Sequence, residues 1–418
     1  MKQRVDRMNM IGTLYRMEIK KILSKKPVWI TLFIGIVLFS VIGMSDYFFN
    51  HWRLSDGTDL TGKEYFTLER GKGEDATGRS LDDSLLSEIR TEINMVLSEN
   101  RDIVEKLSAD EEDGIPGFYF ATRKLGWQNF FYIVSDSIEN QGSKNLMESS
   151  AGELIDQQRR YIEKLLESNY LDEEEQAYWI NRYEKIEKPY VYSYSKGYQL
   201  FYYNLYILIW FVFLLIVITL AGTFSEEIQL GMDALILSSR NGRTPICIAK
   251  MLAGMTISAA SMMLMLFFEL AIVLITYGHE GWQYPIQNVC PYVPWDITIG
   301  QGMCMIIGIA FLLALLFSIF TQVLSLFFKS TSAALALQTG ILVVSIFNIP
   351  YRMGLVSKLW KYRPTNFLNQ CFAEWRLFSI FGRKVNCFEM AGAVYFCMIL
   401  LSILAVSVKY NKTQVESR

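Results

Sequence analysis

The sequence predicts an all-α polytopic membrane protein: six transmembrane helices with a mostly helical extracellular insertion between the first and second. Two observations predict it. Six predominantly apolar runs approach or exceed the about 20 residues with which a helix crosses a bilayer core: Pro27 to Met44, Phe201 to Phe224, Met251 to Tyr277, Ile297 to Phe328, Ser332 to Ile349 and Met390 to Val408. Charge is unevenly divided as well. Residues 45–199 carry 18 basic and 31 acidic side chains, a net −13, so the rest of a chain of net charge −2 is +11. The 51% apolar content is thus an average over an acidic, soluble stretch and a lipid-facing one.

Residues 1–26 read as a cytoplasmic amphipathic helix, with Ile11, Leu14, Tyr15, Ile19, Ile22 and Leu23 at helical spacing. The first span, 27–44, is too long for a signal-peptide core and no small-residue cleavage site follows it, so it is read as a retained anchor. Orientation follows from the basic residues that precede it. Lys2, Arg4, Arg7, Arg16, Lys20, Lys21, Lys25 and Lys26, opposed only by Asp6 and Glu18, keep the N-terminus in the cytoplasm. Six spans return the C-terminus, with Lys409 and Lys412, to the same side of the cell membrane. Residues 350–387 run against this assignment, since they hold seven basic side chains and would face outward.

Residues 45–199 form the acidic extracellular domain. Leu85, Ile89, Ile93, Val96, Leu97, Val104 and Leu107 predict one helical stretch, and Leu154, Tyr161, Ile162, Leu165 and Leu166 another. Asp172 with Glu175 three residues on has the capping-box spacing that starts a third. Asp110 to Gly117 reads as a loop and Gly71 to Gly78 as a mobile one. Gly73 to Ser80 nearly matches a phosphate-cradling loop, but Arg79 stands where lysine belongs and Glu74 and Asp75 would repel phosphate; it is read as flexible chain. Tyr190, Tyr192, Tyr194, Tyr198, Tyr202, Tyr203 and Tyr206 read as an interfacial aromatic belt, as do Trp282, Tyr284, Tyr292 and Trp295 on the next outer loop.

The acidic domain lacks the basic face that nucleic acid requires, so no nucleic-acid partner is expected. Six cysteines without a CxxC pair exclude a disulfide framework and a thiolate zinc site, and two histidines leave little for a catalytic metal. Of the cysteines, Cys290, Cys371 and Cys387 fall on the oxidising face, where a pair could bridge the outer loops. The chain shows no nucleotide-binding or catalytic residue set, so neither enzyme activity nor a bound cofactor is expected.

The most informative stretch lies at about 226–243. Glu226 and Glu227 end the second span in the cytoplasm, Gly231 permits a sharp turn, and Met232 to Leu237 form a short apolar-faced helix that stops at Ser238 to Gly242. Such a helix suits a partner's groove. The acidic pair, Gly231, the run Leu235-Ile236-Leu237-Ser238-Ser239, Arg240, Arg243 and then Lys250 resemble the coupling region of type-2 ABC transporter permeases. Two positions depart from the family pattern: Met232 replaces the threonine after the glycine, and Ala249 replaces the glycine before Lys250. The resemblance covers the membrane part of the chain, leaving residues 46–199 aside, and implies a permease of an exporter that moves a hydrophobic or amphipathic cargo (peptide, lipid or drug) by alternating access. It implies separate ATPase subunits that bind ATP and Mg, and a second permease copy or a similar permease, all in the lipid bilayer. Candidates for the transport pathway are Glu269, the only acid well within a span, with Tyr202, Tyr206 and Gln338. The alternative is a membrane receptor whose outer domain binds a ligand and signals to a cytoplasmic partner.

Overall fold

Inside a bilayer the backbone has no water to bond to, so apolar runs of this length close their hydrogen bonds within themselves as helices. The computed structural model describes residues 2–107, 114–169, 171–239, 243–347, 360–365, 367–369, 371–380 and 382–412. Helix α1 (Lys2–Leu23) leads into α2 (Lys26–Phe49), whose first turn holds Pro27 where no amide partner is required. A hairpin follows, β1 (His51–Arg53) against β2 (Asp59–Thr61), antiparallel with His51 opposite Thr61.

Among the described residues eight helices complete the inserted part: α3 (Gly62–Ala76), α4 (Asp83–Glu99), α5 (Arg101–Val104), α6 (Phe118–Leu125), α7 (Gln128–Asp136), α8 (Ser143–Glu148), α9 (Ala151–Ser168) and α10 (Glu173–Lys185). Asp172 caps α10 reciprocally with Glu175, as the spacing predicts, and Thr61 with Glu64 and Ser150 with Glu153 start α3 and α9 in the same way. Helices α6 and α7 carry no long apolar periodicity and are not evident from sequence.

Two expectations are overturned here. Gly71 to Gly78 is not a mobile loop: α3 runs through it to Ala76, and Gly73 packs under the Tyr194 ring. The chain beyond it pairs with the tyrosine stretch, Gly78 N donating to Tyr192 O at 2.9 Å and Leu81 N to Tyr190 O at 3.1 Å. Three of the seven tyrosines in turn are not at a membrane surface. Tyr190, Tyr192 and Tyr194 are 3%, 1% and 1% exposed, built into the core of the inserted part; only Tyr203 among the seven is exposed. Trp295 is equally buried, whereas Trp282 is open.

After α11 (Lys196–Leu220) come α12 (Ser225–Gln229), α13 (Asp233–Ser238), α14 (Thr244–Tyr277), α15 (Ile299–Phe328), α16 (Thr331–Val344), the hairpin β3 (Phe378–Ile380) with β4 (Arg383–Val385), and α17 (Cys387–Lys412). Among the described residues five helices are long and apolar enough to cross a membrane: α2, α11 with its continuation into α12, α14, α15 and α17. The remaining run is a shorter helix: α16 has 14 residues, about 21 Å at 1.5 Å per residue against a core of about 30 Å. Its predicted end at Ile349 lies outside the described residues.

Helix α14 is the centre of the bundle and packs against α1, α2, α11 and α15, while α17 lies along α15. Helix α2 approaches closely through glycine: at Gly35 the Phe211 ring fills the space a side chain would need. One hydrophobic core joins the bundle to α9 and α10. Trp179 and Trp295 meet with ring centroids 4.9 Å apart, and Ile162, Leu166 and Tyr183 belong to the same cluster as Leu208, Met265 and Leu313. A second core, centred on Leu86, Ile89, Ile93, Phe130 and Ile133, lies wholly within the inserted part.

Candidate coupling site

Glu18 lies in the apolar stripe of α1, one turn from both Tyr15 and Ile22, and the stripe is what packs on α14. A carboxylate in that position needs a cation, and Lys250 of α14 supplies it. Lys250 is fully buried; its Nζ lies 3.4 Å from Glu18 Oε1, donates to Glu227 Oε1 at 2.6 Å and to Thr223 O at 3.0 Å, and sits 5.5 Å from the Phe224 ring centroid. Three partners and a ring face are the compensation an ammonium requires to be withdrawn from water. Glu227 also accepts from Lys21 at 2.7 Å, and Glu226 accepts from Lys25 at 2.5 Å. Burial works against the Lys21 charge, but the hydrogen bond and charge of Glu227 outweigh it and raise the Lys21 pKa above its ordinary 10.5.

The backbone of this junction is tied to α15 and α16 as well. Phe224 N and Ser225 N both donate to Ser325 Oγ at 3.1 Å, and the Ser225 and Thr331 hydroxyls lie 2.8 Å apart. From this anchored root, Gly231 turns the chain at φ 68°, a conformation that suits glycine, and α13 follows. Leu237 is 6% exposed and packs with Phe224, Cys247, Met251 and Tyr410. Leu235, two positions earlier and so about 200° around the helix, is 78% exposed, with Leu230 at 72% and Met232 at 50% beside it in sequence. Ile236 is half-buried, Ser238 is exposed, and Arg240 lies outside the described residues. Arg243 Nη1 donates to Asn411 O at 2.7 Å and Thr244 Oγ1 to Asn411 Oδ1 at 3.1 Å, fastening the start of α14 to α17.

The four pathway candidates are not brought to one place. Asn204 Nδ2 donates to Glu269 Oε1 at 2.6 Å, and Glu269 faces Gly43, which closes it into the contact of α2, α11 and α14. Tyr202 lies on the opposite face of α11, against Phe372 with centroids 5.8 Å apart and beside the Cys371 thiol. Tyr206 packs on Trp210, and Gln338 donates to Thr321 Oγ1 at 2.8 Å, bridging α16 to α15. Cys290, Cys371 and Cys387 do gather on the Tyr202 side, all as buried free thiols, with Cys387 Sγ donating to Cys371 O at 3.2 Å.

Sequence reading finds Glu226, Glu227, Gly231, Lys250 and the basic stretch that holds Lys21 and Lys25, but misses Glu18, Thr223 and Ser325 as members of the site. The signal for Glu18 is present, a charge inside an apolar stripe; nothing in sequence points to Ser325.

The sequence profile of ABC-2 family transporter proteins matches residues 115–362, more than half of the chain, from α6 through α16 and the junction just described. The chain belongs to the ABC-2 transporter family. No curated protein and no solved structure matches it. It is therefore a multi-pass membrane permease of an ABC transporter, a class that works with ABC ATPase subunits. The match ends before α17, which this permease fastens to the start of α14 through Arg243 and Asn411.

Proposed function

We propose that this permease is the membrane subunit of an exporter whose separate ATPases dock on Leu230, Met232 and Leu235. The observation that carries the reading is the contrast within α13: Leu235 is 78% exposed at a helix whose root is held by a buried ion cluster. An exposed apolar face on a rigid support is suited to seating in a protein groove. Displacement of α13 would pass through Glu227 to Lys250 on α14 and Lys21 on α1, which touch the same carboxylate oxygen. In this reading α12 and α13 form the coupling helix region, both termini are cytoplasmic and residues 45–199 are extracellular. Two permeases, identical or similar, alternate between inward and outward opening to move a hydrophobic or amphipathic cargo. ATP and Mg are bound by the partner, and this chain does no chemistry of its own. Co-purification of the permease with its ATPase, with and without Leu235→Asp, tests it: retained association in the variant overturns the docking assignment.

A further inference from the structure

Where the inserted part meets the ends of α2 and α11, a cavity of about 220 Å³ is lined on one side by Trp52, Tyr65 and Phe66. The rings brace one another, Trp52 to Tyr65 at 4.7 Å and Trp52 to Phe66 at 5.8 Å between centroids. Two cations complete the lining: Arg123 lies 6.0 Å from the Trp52 ring centroid and Lys196 lies 5.9 Å from that of Phe66. Among the described residues neither forms an ion pair; Arg123 uses Nε for Gln128 Oε1 at 3.2 Å, and the Lys196 ammonium has only its ring contact.

The carboxylates that also line the cavity are engaged. Glu69, 2% exposed, accepts from Tyr65 Oη at 2.6 Å, Asn129 N at 3.2 Å and Tyr194 Oη at 3.4 Å, and Asp46 accepts from Asn50 Nδ2 at 2.8 Å. The unused hydrogen-bonding capacity thus lies on the cationic donors and on the buried Asn129 amide, which also lines the cavity. A planar guanidinium and an ammonium beside an apolar wall are the chemistry that recognises a phosphate carried on an organic group. The place agrees: Asp46 is in the last turn of α2 and Lys196 is the first residue of α11, so the cavity sits at the ends of two helices long and apolar enough to cross a membrane.

We propose that this cavity binds a phosphate-type oxyanion, with the rings covering the organic moiety that bears it. Only the leaflet from which a lipid would enter rests on the orientation given under Proposed function. The full-length protein in detergent, freed of phospholipid, is titrated calorimetrically with dihexanoylphosphatidylglycerol and, separately, with inorganic phosphate. Saturable binding of the lipid alone assigns the site to a membrane phospholipid; saturable binding of both assigns it to a free oxyanion. R123Q/K196Q should lose affinity about tenfold through its missing charged hydrogen bonds, while R123K/K196R keeps most of it. If the double variant is not monodisperse, R123Q and K196Q singly carry the comparison. Absence of saturable binding of either probe, or equal affinity in the glutamine variants and the wild type, overturns the proposal. Failure of the ATPase reading would leave this titration unchanged, so the two outcomes are distinguishable.

Discussion

Lys21 and Lys250, from opposite halves of the chain, donate to one and the same oxygen, Glu227 Oε1, at 2.7 and 2.6 Å. The amphipathic first helix and the central helix are thereby joined through the start of the proposed coupling segment. Removing one member of a buried ionic set leaves the others uncompensated, which costs more than the set contributes.

Lys250→Met should therefore destabilise the protein by about 3–5 kcal/mol, measured as a fall in the thermal unfolding midpoint in detergent. Lys250→Met combined with Glu227→Gln should cost less than the sum of the two single changes, because the residues are in contact. Additivity of the two would show that the observed contact is energetically idle.

Leu235→Asp and Leu237→Asp separate docking from folding. The first adds a charge to an exposed position and should leave the unfolding midpoint unchanged while weakening ATPase association by about 3 kcal/mol, or about a hundredfold. The second places the charge against Phe224 and Tyr410 and should lower the midpoint itself. Arg53→Gln, at an exposed position in the inserted part, is the control. Asn411 would be a poor one, since its side chain holds Thr244.

Orientation is open to labelling. With the exposed Cys304 and Cys397 replaced by serine, an impermeant maleimide applied to intact cells should modify a cysteine introduced by Asp75→Cys and spare one introduced by Ser239→Cys. Both positions are exposed in the fold, so a reversed pattern would invert the topology.

Acid should loosen the hairpin of β1 and β2. Burial alone would raise the Asp56 pKa, but Lys124 Nζ at 2.6 Å and Thr58 N at 2.9 Å outweigh it and hold the carboxyl below its ordinary 3.8. A depressed pKa means stabilisation that is complete above the unfolded value and is lost as pH falls through the folded one. Protection of the amides over residues 54–58, taken relative to their intrinsic exchange rates, should fall below about pH 4, and Asp56→Asn should remove that step.

Five of the predicted spans, the Asp172 cap and the turn at Gly231 are legible because each rests on local chemistry: length, a capping oxygen, a missing Cβ. Tyr190 to Tyr194 mislead because alternating tyrosines have the composition of a membrane interface, and only their pairing with Gly78 to Leu81 shows them buried. Glu18 is visible as a charge out of pattern, but its partner Lys250 is not, since nothing local relates one helix to another so distant in sequence. The same holds for Tyr202 and Asn204, whose opposite faces of α11 separate Glu269 from the other pathway candidates.

The shared core of Trp179 and Trp295 has a mechanical consequence. A domain on flexible tethers would stay still while the helices beneath it rearranged, but one whose tryptophan is wedged beside the entry to α15 must tilt with that helix. If the bundle rearranges as proposed above, a small rotation at the base would become a larger sweep of the acidic surface at the far end, and the angle of the inserted part would then follow the state of the bundle.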